Sequence, residues 1–157
     1  MSHRTKVRGA VVGVCAVVLL AGPGLLSAPA QAGDRTAPNA VAETRASKPV
    51  AQVTRFFDQY LEAVNGTNPN MNPTEVRNEF LTPQLNARLD AWAEANDADP
   101  VFRAQNVPQS RDVRYEGSGA GHATVVVTEH FGGSTIDVWY QVPLSGGRIT
   151  DLRDAPQ

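Results

Sequence analysis

Between residues 50 and 64 the large apolar side chains Val50, Val53, Phe57, Tyr60, Leu61 and Val64 recur at spacings of three, four, three, one and three, which lays them along one stripe of an α-helix. Ser47 stands where an N-cap would, Pro49 falls near the first turn, where its missing N–H does no harm, and Asn65-Gly66 ends the run. A second helical segment opens at Asn72-Pro73-Thr74-Glu75, in which Asn72 caps and Glu75 completes a capping box, with Val76 and Phe80 on one side. Thr82-Pro83 reads as a fresh cap and first-turn proline, followed by Leu85, Leu89 and Trp92. The pattern predicts two short helices with a break between them.

From Asn96 onward the period changes. Asp97-Ala98-Asp99-Pro100 is a turn or loop, Val101-Phe102 an apolar plug, and Asn106-Val107-Pro108 another bend. Alternation then predicts strands over about 111–117, 122–131, 134–144 and 148–154, joined by turns at 118–121, Gly132-Gly133 and Ser145-Gly146-Gly147. A two-residue turn at Gly132-Gly133 sets Phe131 opposite Ser134, Val127 opposite Val138 and Val125 opposite Tyr140. One face then carries Ala123, Val125, Val127, Glu129, Ile136, Val138 and Tyr140, and reads as core. The other carries Thr124, Val126, Thr128 and His130 opposite Gln141, Trp139, Asp137 and Thr135. Helices first and a four-stranded antiparallel meander second predict an α+β domain, its helices packed on one sheet face.

The start of the chain alters how composition is read. Arg4, Lys6 and Arg8 precede an apolar run from Gly9 to Leu26 whose longest uninterrupted part is short of the ~20 residues a membrane-spanning helix requires. Gly22-Pro23-Gly24 breaks it, and Ala30-Gln31-Ala32 offers the small side chains a signal peptidase accommodates. Residues 1–32 are therefore expected to be a cleaved secretory signal peptide, residues 33–47 a disordered leader with Val41 as its single large aliphatic, and residues 48–157 one α+β domain that acts extracellularly. Neither a lipoprotein Cys at the end of the apolar run nor an adjacent Arg pair is present. The whole chain has 14 Lys+Arg and 16 Asp+Glu; without Arg4, Lys6 and Arg8 the balance is 11 to 16, a formal charge of −5. Nucleic acid and anionic membranes, which need a cationic surface, are not the expected partners. Cys15 falls within the signal, so the mature chain is expected to hold itself together without disulfides.

Four stretches carry a resemblance: VTRFFDQY at 53–60, FLTPQLNARLDAW at 80–92, DPVFRAQNVP at 99–108 and RITDL at 148–152. Together they resemble small secreted bacterial domains of the nuclear-transport-factor-two-like superfamily, over roughly residues 50 to 154. Asn106 stands where that resemblance leads one to expect an acid. The likeness implies a cone of helices wrapped against a strongly curved four-stranded antiparallel sheet, with a cavity at its open end, and homodimerisation through the sheet, for which Trp139 and Val126 lie on the non-core face. It implies no single activity, because the superfamily contains isomerases, dehydratases and binding domains.

Candidate chemistry is sparse. His122 and His130, eight residues apart on one extended strand, would be separated by roughly 26 Å and cannot share an ion, so no metal is expected. Asp97 and Asp99 alternate like the start of a calcium loop, yet Val101 occupies the third ligand position. No G-x-S-x-G, mature thiol or phosphate-cradling glycine loop is present, and Asn65-Gly66-Thr67, formally a glycosylation sequon, is sufficiently explained as a helix end and turn. General acid–base chemistry remains, with Asp137, His130 and Asp99 as its candidates and Tyr60, Gln105 and Trp139 as ligand contacts. With no complete catalytic constellation, the leading expectation is a secreted non-enzymatic binding module that needs no cofactor and holds a small ligand, peptide or partner protein in the cavity or on the sheet. An acid–base enzyme of isomerase or hydrolase type, and an inhibitor or immunity-type protein meeting a basic partner, are the alternatives.

Overall fold

The computed structural model describes residues 38–156; the expected signal peptide and the first residues of the expected leader lie outside them. Three helices, α1 (Pro38–Asn65), α2 (Pro73–Phe80) and α3 (Pro83–Asn96), precede four strands, β1 (Ser110–Gly119), β2 (His122–His130), β3 (Thr135–Pro143) and β4 (Asp151–Asp154). Among the described residues no helix is long and apolar enough to cross a membrane.

The local signals explain most boundaries. Asn72 accepts from the Thr74 N–H at 2.8 Å to cap α2, and Thr82 Oγ1 accepts from the Leu85 N–H at 3.3 Å to cap α3. The break between them is used rather than wasted. Leu81 is extended and forms a parallel bridge with Ile149, where Ile149 N donates to Phe80 O at 2.8 Å and Thr82 N to Ile149 O at 3.0 Å. The start of α1 differs from expectation: the helix begins at Pro38, so residues 38–47 are helical and Pro49 is buried inside the helix rather than in its first turn. Ala40, Ala42 and Glu43 are strong helix formers, and that propensity extends the helix where apolar periodicity gave no sign of it.

The strands form an open antiparallel sheet in the order β1-β2-β3-β4, joined by Ala120-Gly121, Phe131–Ser134 and 144–150. Phe131 N donates to Ser134 O at 2.9 Å, and the β2–β3 register pairs Val125 with Tyr140, Val127 with Val138 and Thr128 with Asp137, as the Gly132-Gly133 turn predicts. Strand β1 pairs with β2 through a bulge between Tyr115 and Gly117. The last strand is shorter than its alternation suggested, because Ile149 is engaged with Leu81 and regular pairing resumes only at Asp151.

Helix α1 lies against β1 and β2. Its Val53, Phe56, Phe57 and Tyr60 meet Phe80, Leu81, Leu85 and Leu89 from the shorter helices and Val125, Val127, Val138 and Tyr140 from the sheet. The rings run as a chain: Tyr140 to Phe56 at 6.2 Å, Phe56 to Tyr60 at 5.9 Å, Tyr60 to Phe102 at 5.3 Å and Phe102 to Phe57 at 5.6 Å. This is the α+β arrangement expected, helices on one face of a four-stranded antiparallel sheet.

Candidate functional site

The loop after α3 builds a carboxylate into the edge of the core. Asp97 caps α3 in the left-handed conformation (φ 48°), Asp99 N donates to Ala104 O at 2.9 Å, and Asp99 Oδ1 accepts from the N–H groups of Val101 and Phe102 at 2.8 and 2.9 Å. The other oxygen, Oδ2, accepts from the Tyr60 hydroxyl at 2.9 Å. Burial, then the charge of Asp99, pushes the Tyr60 phenol far above its ordinary pKa, so it stays a donor. Val101 and Phe102 between these anchors are fully buried.

Arg103 closes the loop, itself in the left-handed region (φ 52°). Its guanidinium lies 4.2 Å from the centre of the Trp92 ring, donates from Nη2 to Leu152 O at 3.0 Å and pairs with Asp154 at 3.5 Å. Nε and Nη1 are buried and make no hydrogen bond. Desolvation lowers the Arg103 pKa, partly offset by Asp154.

On the core face of the sheet stand two further polar groups. Glu129 is 0% exposed, in phase with Ala123, Val125 and Val127, and neither carboxyl oxygen has a hydrogen-bond partner. Burial, reinforced by Asp99, pushes its pKa up to about 9, so it is a neutral acid at pH 7. The Tyr140 hydroxyl is likewise buried and unpartnered, and burial followed by the nearby Glu129 raises its pKa well above the phenol value. Each buried polar group left without a partner costs about 1–3 kcal/mol.

Of the residues singled out in the sequence, Tyr60 and Asp99 meet here. Gln105 does not join them; its side chain is exposed and donates to Asp97 O at 3.3 Å, bracing the loop from outside. Asp137, His130 and Trp139 lie on the opposite sheet face. There Arg114 donates to Thr128 Oγ1 at 2.8 Å and Asp137 Oδ2 at 3.1 Å, and Thr128 donates to Asp137 Oδ1 at 2.6 Å. Those bonds, Thr128 first and then Arg114, hold Asp137 below the usual carboxylate range and make it a weak base. His130 Nε2 sits 2.9 Å from Asp112 Oδ2 and borders a shallow cleft with Gln109, Ser110 and the Gly132–Thr135 turn. Trp139 is half-buried opposite Val126, its indole N–H without a partner. His122 sits at the far end of β2, beside Ala120 O. Among the described residues no three His, Cys, Asp or Glu gather where they could hold a metal ion.

The residues that sequence reasoning did not nominate are Glu129, Tyr140 and Arg103. A signal for the first was present: Glu129 is the one acidic residue on a β2–β3 face otherwise made of Ala123, Val125, Val127, Ile136, Val138 and Tyr140.

A protein of unknown function from Bacteroides thetaiotaomicron, solved as a crystal structure, is similar in fold: 19% sequence identity and a TM-score of 0.58, covering 73% of this chain and 96% of that one. No family model and no curated protein matches the chain. The likeness extends to the fold.

Proposed function

We propose that this chain is a secreted, non-enzymatic binding module of cone-like architecture that takes a small, largely apolar molecule bearing a neutral hydrogen-bond acceptor into the space between helices and sheet. The observation that carries the reading is the pair of buried, unpartnered groups, Glu129 and Tyr140, set in an aromatic and aliphatic core. Held neutral, Glu129 offers an O–H, and Tyr140 offers a second. Asp99 is already satisfied by Tyr60 and two backbone N–H groups, so it supplies a negative field that disfavours an anionic guest rather than a free acceptor. A carbonyl oxygen is the chemistry that matches two donors in a dry site.

Native mass spectrometry of the protein recovered as its host secretes it tests this directly. A retained small molecule, lost from Tyr140→Phe and Glu129→Leu proteins that remain folded, is the expected result. Retention unchanged in both variants would remove these donors from the site.

A second reading has one observation of its own. Glu129 is held protonated by burial while Asp99 accepts three hydrogen bonds; two carboxyl groups in such unlike surroundings are the raw material of acid–base catalysis. Turnover of a carbonyl substrate that disappeared in Glu129→Gln would select this reading over simple binding.

A further inference from the structure

We infer that residues 97–105 form a hinged gate over the interior donors, with Phe102 and Val101 as its plug and Arg103 as its latch; the inference rests on the interior-binding reading above. Four features of the segment point the same way.

Its plug is deep, yet it belongs to a loop rather than to the sheet. Val101 and Phe102 are fully buried, and the Phe102 ring packs on Tyr60 and Phe57, at the end of the ring chain that leads through Phe56 to Tyr140. Displacing this ring would uncover Tyr60, the next member of the chain that leads through Phe56 to the unpartnered hydroxyl.

Two positions in the segment are strained. Asp97 at its start and Arg103 near its close are non-glycine residues in the left-handed region, a conformation that costs energy and is relieved when the backbone swings out. The closed position is kept by detachable contacts: the Tyr60–Asp99 hydrogen bond, the stacking of Arg103 on Trp92, its bond to Leu152 O and its ion pair with Asp154. A single bridge, Asp99 with Ala104, is all the ladder the segment has, and it is internal.

The latch itself is imperfectly satisfied. Arg103 carries two buried nitrogen atoms without hydrogen bonds, and opening would give both to water. The same movement would admit water or a guest toward Tyr140, which the rings of Tyr60 and Phe56 join to Phe102, and toward Glu129 on the same face of the sheet. Burial of the plug closes the gate, while strain and buried polar atoms that lack hydrogen bonds favour release, which is the balance a two-state element requires.

Hydrogen exchange on the full chain, read at the amides of Asp99, Val101 and Phe102, tests the gate without any ligand. These three N–H groups are bonded within the segment and serve as its reporters. They are expected to exchange about tenfold or more faster than the Val125–Val127 amides of β2, and Arg103→Ala is expected to accelerate them about tenfold again while leaving β2 unchanged. Should Arg103→Ala fail to fold, Tyr60→Phe removes the other restraint and is read the same way. Carbodiimide labelling of Glu129 supplies the second readout, and its rate should rise in step with loop exchange. Loop and sheet amides that move together in all proteins, or a Glu129 that stays unlabelled while the loop exchanges freely, would overturn the gate. Because neither measurement uses a bound molecule, an empty native mass spectrum defeats the binding reading alone.

Discussion

The Tyr60 hydroxyl donates to Asp99 Oδ2 at 2.9 Å, tying the C-terminal part of α1 to a loop that begins thirty-odd residues later in the chain. Both partners were visible as separate candidates in the sequence; only folding makes them a pair. The bond is partly buried and its acceptor carries charge, the kind worth about 1.5–3 kcal/mol. Tyr60→Phe is therefore expected to lower unfolding free energy by about 2 kcal/mol in urea titrations. A change of a few tenths would mean that the loop is held from elsewhere.

Glu129 makes stability pH-dependent in a direction opposite to that of ordinary acids. Its folded pKa of about 9 lies above the usual 4.5, so below pH 4.5 it is protonated in both folded and unfolded chains and its contribution is fully present. As pH rises, the unfolded chain ionises first, and stability is lost progressively until about pH 9, at up to about 1.4 kcal/mol per pH unit. Denaturation curves of wild type and Glu129→Gln taken from pH 5 to 9 should converge or cross, with the variant lacking this slope. Parallel curves would show that the carboxyl is hydrated and ordinary.

The face away from the helices should be tolerant. Asp137, 35% exposed at its side chain and paired with Arg114, belongs to a solvent-screened network, and Asp137→Asn is expected to cost less than about 1 kcal/mol. His130→Ala is expected to behave alike, with ligand retention unchanged in both by native mass spectrometry. Loss of retention in either folded variant would move the site to this face.

At the end of α3, Asp97 adopts φ 48° and ψ 46°, which glycine adopts without a Cβ penalty. Asp97→Gly is expected to raise the midpoint of thermal unfolding, corresponding to about 0.5–1 kcal/mol. A drop would indicate that the Asp97 side chain holds the loop through a contact of its own.

What could be read from sequence was whatever depends on near neighbours. The caps at Asn72 and Thr82, the α2–α3 break and the β2–β3 register each follow from a handful of adjacent residues, and each is as expected. Leu85 and Leu89 are buried as their spacing implied, but Trp92 is half-exposed and serves instead as the platform under Arg103. Arg103 could not be foreseen, because its role depends on Trp92 of α3 and on Leu152 and Asp154 of β4, which arrive from two separate parts of the chain. Glu129 was placed on the correct face, yet its significance came only with the finding that nothing on that face answers it.

The bridge between Leu81 and Ile149 has a consequence for how the chain comes together. The turn separating two early helices receives its hydrogen-bonding complement from a segment synthesised almost seventy residues later, so the helical half is left with open valences until Ile149 has been made. Interrupting synthesis before Ile149 should release a species that is helical but not native, a substrate for chaperones and proteases rather than a shorter version of the domain.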